Sequence, residues 1–157
     1  MADRTNDEPD KVMAWAYVIT QAVILSLLIF LNRTFGFDVK TFKIAGDLIE
    51  WLGVIGIILS AITIRSSLTA VPLPKKHGRL GTTGLYKYVR HPMYTSVLLL
   101  SLGIALLSGS IIKYLLVFGL FVLFSYKARY EERYLSLKYP NYAKYAEQTP
   151  RFIPFIK

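Results

Sequence analysis

The sequence contains no cysteine, and histidine occurs twice, as His77 and His91. Disulfides, thiolate metal centres and cysteine nucleophiles are therefore excluded. Two histidines do not make a metal site unless carboxylates complete it, and no metal is expected. Acidic residues are also scarce, ten against nineteen basic ones, for a formal charge of +9. In a soluble chain that excess would point to nucleic acid. Here 54% of the 157 residues are hydrophobic, gathered into long runs with the basic residues between them. This is the pattern of a membrane protein whose loops set its orientation and meet anionic headgroups, so no nucleic-acid partner is expected.

The runs divide the chain. Residues 1–11 form a polar tail, and residues 12–154 read as a single all-α domain, an integral membrane bundle of about four transmembrane helices. The spans fall near 12–31, 44–64, 92–108 and 110–126. The first is long enough to cross about 30 Å of hydrocarbon. It lacks a small-residue cleavage site, so it reads as an anchor and not as a signal peptide. In the second, Gly53, Gly56 and Ser60 share one face, and small residues at that spacing allow close helix approach. Pro72 and Pro74 break any helix in the polar loop 65–91. Ser108-Gly109-Ser110 divides the next apolar stretch into a tight hairpin with a short first arm. Residues 127–157 read as a tyrosine-rich helical tail. Four spans place fifteen of the nineteen basic residues on one side, so both termini and the middle loop are expected in the cytoplasm. Nothing in the sequence calls for a homo-oligomer.

Three segments carry chemistry. In Gly84–Tyr94, Pro92 suits the first position of a helix and holds His91 extended before it. The N–H groups of that helix start, with Arg90, form a cradle for a carboxylate or phosphate. Equally, Arg90 reaches headgroups while Tyr86, Tyr88 and Tyr94 form an interfacial belt. In Arg129–Leu135, Glu131 and Glu132 point to different sides of a helix. One meets a basic group of the middle loop and the other accepts from a cationic or hydroxylated ligand, or they make ordinary i,i+4 pairs. In the tail, Tyr126, Tyr130 and Tyr134, then Tyr139, Tyr142 and Tyr145, stack on a flat base or sulfonium or form a belt, and the belt is preferred for most. Glu50, inside span two, reads as structural, paired with Lys43 or Lys113.

The ordered set is more specific than its parts. Thr83-Gly84-Leu85-Tyr86, then Arg90-His91-Pro92 and Tyr94, precede the broken hairpin. Glu131-Glu132, Leu135, Tyr139, Tyr142, Tyr145 and Pro150-Arg-Phe-Ile-Pro154 follow it. Over Leu80–Pro154 this resembles the isoprenylcysteine carboxyl methyltransferase family and its prokaryotic relatives, which are related to phospholipid methyltransferases. The resemblance implies S-adenosylmethionine as methyl donor. It makes Leu80, Gly84, Tyr86, Arg90, His91, Pro92, Tyr94, Glu131 and Glu132 the cofactor-pocket candidates. Arg90, Arg129 and Glu131 become the catalytic candidates, Arg129 helping to orient an acidic acceptor. The acceptor implied is a lipophilic molecule from the bilayer, first an isoprenylcysteine-like carboxylate. A phospholipid amine is the alternative, and a nicotinamide-dependent lipid double-bond reductase or a non-catalytic lipid-binding protein are further ones. The chain departs from the family pattern at Pro140, where many members carry glycine after the aromatic.

Overall fold

In the computed structural model, residues 11–32, 40–65 and 80–156 are described. The polar tail before Lys11, most of the first loop, and Pro72, Pro74 and Gly78 of the middle loop lie outside them. Helix α1 spans Lys11–Phe30 and, after a short 3-10 turn at Lys40–Phe42, helix α2 spans Lys43–Ile64. A second 3-10 turn, Gly84–Lys87, leads to α3 (Pro92–Ser108), α4 (Ile111–Lys138) and α5 (Tyr142–Gln148). Helices α1, α2 and α4 are long and apolar enough to cross a membrane, and α3 is a shorter apolar helix. The protein is an all-α membrane bundle.

The fourth helix joins two expected parts. The expected span ends at Tyr126, with a helical tail beginning after it. Helix α4 runs through that point without interruption to Lys138. The composition turns from apolar to charged there, but no proline or glycine stops the helix between Tyr126 and Lys138, and charge alone does not end one. At roughly 1.5 Å per residue, α4 is about 42 Å long and α3 about 25 Å. The hairpin between them turns on Gly109, which caps α3 in the left-handed conformation (φ 62°). Because α3 is short, it starts opposite residues 124–132 of α4, and not at that helix's end. Tyr94 stacks on Phe124, and His91 meets Glu132. This leaves a notch at the α3 start, bounded by the last turns of α4 and by α5.

Packing divides by helix. Along α2 and α3 the backbones touch. A Cβ on Gly53 would lie 2.7 Å from Leu100 Cα, one on Gly56 would collide with the Ser96 hydroxyl, and one on Gly103 would lie 2.7 Å from Glu50 Cβ. The expected small-residue face of span two is thus the α3 contact. Glu50 is placed by that contact. It makes no ion pair with Lys43 or Lys113 among the described residues, because Lys43 pairs with Asp47 one turn away at 2.8 Å. The other side of α3, through Tyr94, Val97 and Leu98, packs against a cluster of Leu28, Leu120, Phe124, Ala128 and Phe152 supplied by α1, α4 and the tail. Helix α1 closes that side. Tyr17 contacts Tyr130 and Gln21 contacts Lys127, so its numbers rise as those of α4 fall and the two run antiparallel.

Candidate functional site

Pro92 occupies the first turn of α3, where its missing N–H leaves nothing unsatisfied. This fixes His91 at the lip of the notch. The two N–H groups that lead into α3 are engaged by the tail. Arg90 N–H donates to the Pro150 carbonyl at 2.8 Å, and His91 N–H donates to the Arg151 carbonyl at 3.1 Å. The Thr95 hydroxyl adds a bond to the Phe152 carbonyl at 2.9 Å. The chain thus returns after α5 and supplies backbone acceptors to the segment before Pro92, where buried N–H groups need partners.

The side chains converge on the two glutamates, which α4 presents on adjacent faces. Glu132 is the hub. Arg151 grips it bidentately, Nη2 to Oε2 at 2.7 Å and Nε to Oε1 at 3.0 Å. His91 Nε2 lies 3.0 Å from Oε1 and Arg90 Nη1 3.4 Å from the same oxygen. A carboxylate only accepts, so the proton of that imidazole bond sits on Nε2. Glu131 faces the other way. It accepts from the Tyr94 hydroxyl at 2.9 Å, and His91 Nδ1 lies 3.6 Å from it. Its side chain is more than twice as exposed as that of Glu132, 28% against 12%. His91 is buried between the carboxylates and stacks flat on Tyr94, with ring centres 5.2 Å apart.

The wall opposite is phenolic. Tyr86 is buried in the 3-10 turn, and its carbonyl accepts from the Tyr145 hydroxyl at 2.6 Å. Burial, then the charge of Glu131, pushes the Tyr86 phenol up. Burial, then Glu132, does the same to Tyr142. Burial lifts Tyr145 to about 12 against the opposing charge of Arg90. All three remain neutral donors. The hydrogen bonds to Glu132 raise Arg151 further, so that pair stays ionised. Arg90 Nε and the Tyr142 hydroxyl are buried without a well-formed hydrogen bond, and the two side chains face each other, Arg90 opposing the rise of the Tyr142 phenol. Groups so incompletely satisfied are rare in protein interiors, and together they are suited to an oxygen of a bound molecule.

Of the residues singled out in the sequence, the structure brings together Arg90, His91, Tyr94, Glu131 and Glu132, with Pro92 and Tyr86 forming their frame. Gly84 (φ 58°) sits against α2, where a Cβ would lie 3.0 Å from the Thr63 hydroxyl. Leu80 is half-buried just before that turn. Arg129 stands outside the cluster, exposed, with its guanidinium 5.7 Å from the Tyr126 ring centre. Tyr142 and Tyr145 line the notch and are not part of a surface belt. Arg151, Thr95, Lys127 and Gln21 were not singled out as site residues. Arg151 lay in the quoted Pro150–Pro154 string, but nothing in its neighbourhood names Glu132 as its partner. Among the described residues no group of three potential metal ligands occurs.

The phospholipid methyltransferase family model matches residues 41–142, from the turn before α2 to the first residue of α5. The cobalt-zinc-cadmium resistance protein CzcN of Cupriavidus metallidurans is 30% identical over 92% of this chain and 63% of its own length. Protein-S-isoprenylcysteine O-methyltransferase of Schizosaccharomyces pombe is 38% identical over 49% of this chain and 34% of its own. Protein-S-isoprenylcysteine O-methyltransferase B of Arabidopsis thaliana is 32% identical over 52% of this chain and 43% of its own. The chain thus spans between about a third and somewhat under two thirds of the length of these relatives.

Proposed function

This chain belongs to the phospholipid methyltransferase family, and on that premise we propose that it moves a methyl group from S-adenosylmethionine to a lipophilic acceptor, first of all a carboxylate of the isoprenylcysteine type. The observation that carries this reading is the meeting of His91, Glu131, Glu132 and Arg90 at the α3 start, inside a membrane protein. When bound, the donor supplies an electrophilic methyl on a sulfonium cation. The residues present suit such a molecule. Arg90 Nε and the Tyr142 hydroxyl have hydrogen-bonding capacity to spare for its carboxylate. Glu131 offers a partly exposed negative charge to its cationic groups. Tyr86, His91, Pro92 and Tyr94 supply the walls, with Leu80 and Gly84 at the edge. Glu132, held by Arg151, Arg90 and the His91 Nε2–H, keeps Arg90 and His91 in place. Arg129 is the exposed cation that an acidic acceptor meets at the mouth.

A carboxylate acceptor arrives ionised, so alignment and exclusion of water are the tasks left to the protein. This agrees with His91, whose two nitrogens are both turned toward carboxylates. The acceptor enters from the bilayer, because drawing it through water costs about 0.8 kcal/mol per exposed CH₂. The notch faces the cytoplasm together with both termini. The second reading, a phospholipid amine acceptor, is favoured by the name of the matched family. It requires removal of a proton, for which Glu131 or His91 is the candidate base.

Incubating membranes that contain the protein with labelled methyl donor separates the readings. Label released as methanol by mild base marks a methyl ester, and label stable in a headgroup marks an amine. No labelled lipid from folded protein would end both. Arg90→Ala is expected to weaken donor binding by about 1.5–3 kcal/mol, the worth of a charge-assisted pair, and calorimetry at unchanged affinity would remove Arg90 from the site. A reporter fused after Lys157 should read cytoplasmic.

A further inference from the structure

One buried cation takes no part in the ion-pair cluster. Lys127 lies one turn before Glu131 on α4 and is 6% exposed. Its ammonium donates to Gln21 Oε1 of α1 at 2.6 Å. It also stands over the Tyr94 ring, 5.0 Å from the centre, and 5.9 Å from that of Phe124. Among the described residues it forms no ion pair. An ammonium desolvated between one neutral amide and two ring faces, with the Glu131 charge a turn away and not in contact, is an expensive arrangement. A tie between α1 and α4 alone would be made more cheaply by apolar side chains, as Leu28 and Leu120 already do.

The position of the charge relative to Tyr94 gives it work. The ring is held by stacking on Phe124 at 4.7 Å and on His91 at 5.2 Å. Its hydroxyl points at Glu131 Oε2. A cation over a phenol face draws electron density from the ring, so the O–H becomes a stronger donor. The result is a continuous path from Gln21 through Lys127 and Tyr94 to Glu131. Its first member lies on α1, outside residues 41–142 that the family model covers. We propose that Lys127 is a positioning residue for Glu131, acting through Tyr94, and that Gln21, by holding Lys127, makes α1 part of the site. The consequence for catalysis rests on the methyltransferase reading, while the path itself does not.

The test uses the full chain in nonionic micelles, with two readouts. The first is the infrared carboxylate band of Glu131, identified as the band lost in Glu131→Gln. Tyr94→Phe is expected to shift it. Lys127→Met, which keeps the apolar stem and removes the charge, should shift it the same way. Lys127→Arg should leave it in place. Gln21→Glu, which neutralises the ammonium with a new partner and keeps the helix tie, should move it part of the way. This covers the case in which Lys127→Met does not fold. A band that moves in Tyr94→Phe but in neither Lys127→Met nor Gln21→Glu overturns the proposal. The second readout is methyl transfer. Lys127→Met should lower kcat about tenfold, the equivalent of one neutral hydrogen bond, with acceptor KM unchanged and with recovery in Lys127→Arg. A purely structural tie would give equal losses in Met and Arg variants, which also overturns it. If the band shifts as expected but wild-type protein transfers no methyl, the enzymatic reading fails and the positioning path stands.

Discussion

Helix α3 is held in two different ways along its length. From Ser96 to Gly103 it lies against α2 with backbone touching backbone, and even Glu50 meets Gly103 through its backbone and Cβ. At its start it is held by polar connections, from the Arg90 and His91 N–H groups and the Thr95 hydroxyl to the returning tail, and from the Arg90, His91 and Tyr94 side chains to Glu132 and Glu131. The first region is a contact of surfaces, and the second is a contact of points. In a bilayer the first is the natural device for apolar helices, since lipid tails offer no hydrophobic gain and only close packing favours association. The second is suited to a place where the side chains must also be available to a molecule that comes and goes.

The largest expected effect lies in the second region. Glu132→Gln removes the charge that Arg90, His91 and Arg151 share. Removing one partner of a buried ion pair leaves the others uncompensated, at a cost of about 3 kcal/mol or more. The tail should undock while the four long helices stay together. Hydrogen exchange would show it, because the Arg90 and His91 amides lose their carbonyl partners at Pro150 and Arg151. Unchanged protection of those two amides would mean that the backbone bonds hold the tail without Glu132.

The next effect belongs to the first region. Gly53→Val places a branched side chain where Leu100 backbone already lies, and overpacking of this kind costs about 1–3 kcal/mol. Glycine itself is not what matters. Gly119 on α4 has open space around its missing Cβ, so Gly119→Ala should be neutral or stabilising, by no more than about 1 kcal/mol. Titration with a denaturing detergent should lower the midpoint for Gly53→Val and leave it unchanged or higher for Gly119→Ala. Equal losses would show that α2 and α3 respond to helix propensity and not to contact.

The two regions differ also in how far the sequence reveals them. Apolar run length places the helices, and the Gly53–Gly56–Ser60 spacing places the α2 face, because both are periodic features of one continuous segment. The Pro92 start of α3 is equally local. The site is legible only in its residues. Arg90, His91, Glu131 and Glu132 stand out as types in a membrane chain, but their pairing does not. Arg151 reaches Glu132 across 19 positions and Lys127 reaches Gln21 across 106, and no periodicity encodes such distances. The engagement of the Arg90 and His91 N–H groups is hidden for the same reason, since their acceptors, Pro150 and Arg151, lie sixty residues later. The continuation of α4 past Tyr126 was obscured differently, by a change of composition without a change of structure.

The smallest expected effect tests the point where the two regions meet. Thr95 stands one turn into α3, just before the surface contact begins at Ser96. Its hydroxyl is 2.9 Å from the Phe152 carbonyl and 3.3 Å from the His91 carbonyl of its own helix. A single O–H donates well to one acceptor at a time, and the shorter bond goes to the tail. The His91 carbonyl keeps the Thr95 N–H at 3.1 Å regardless, so only the Phe152 carbonyl loses a partner when the hydroxyl is removed. Thr95→Val preserves shape and branching and deletes that one donor. The expected cost is about 1 kcal/mol, enough to raise exchange at the Arg90 and His91 amides several-fold but not to release the tail. Thr95→Ser keeps the donor and should restore protection. If Thr95→Val instead opens those amides as far as Glu132→Gln does, the single hydroxyl bond to Phe152 holds the tail as firmly as the charges around Glu132, and the ranking of the two effects fails.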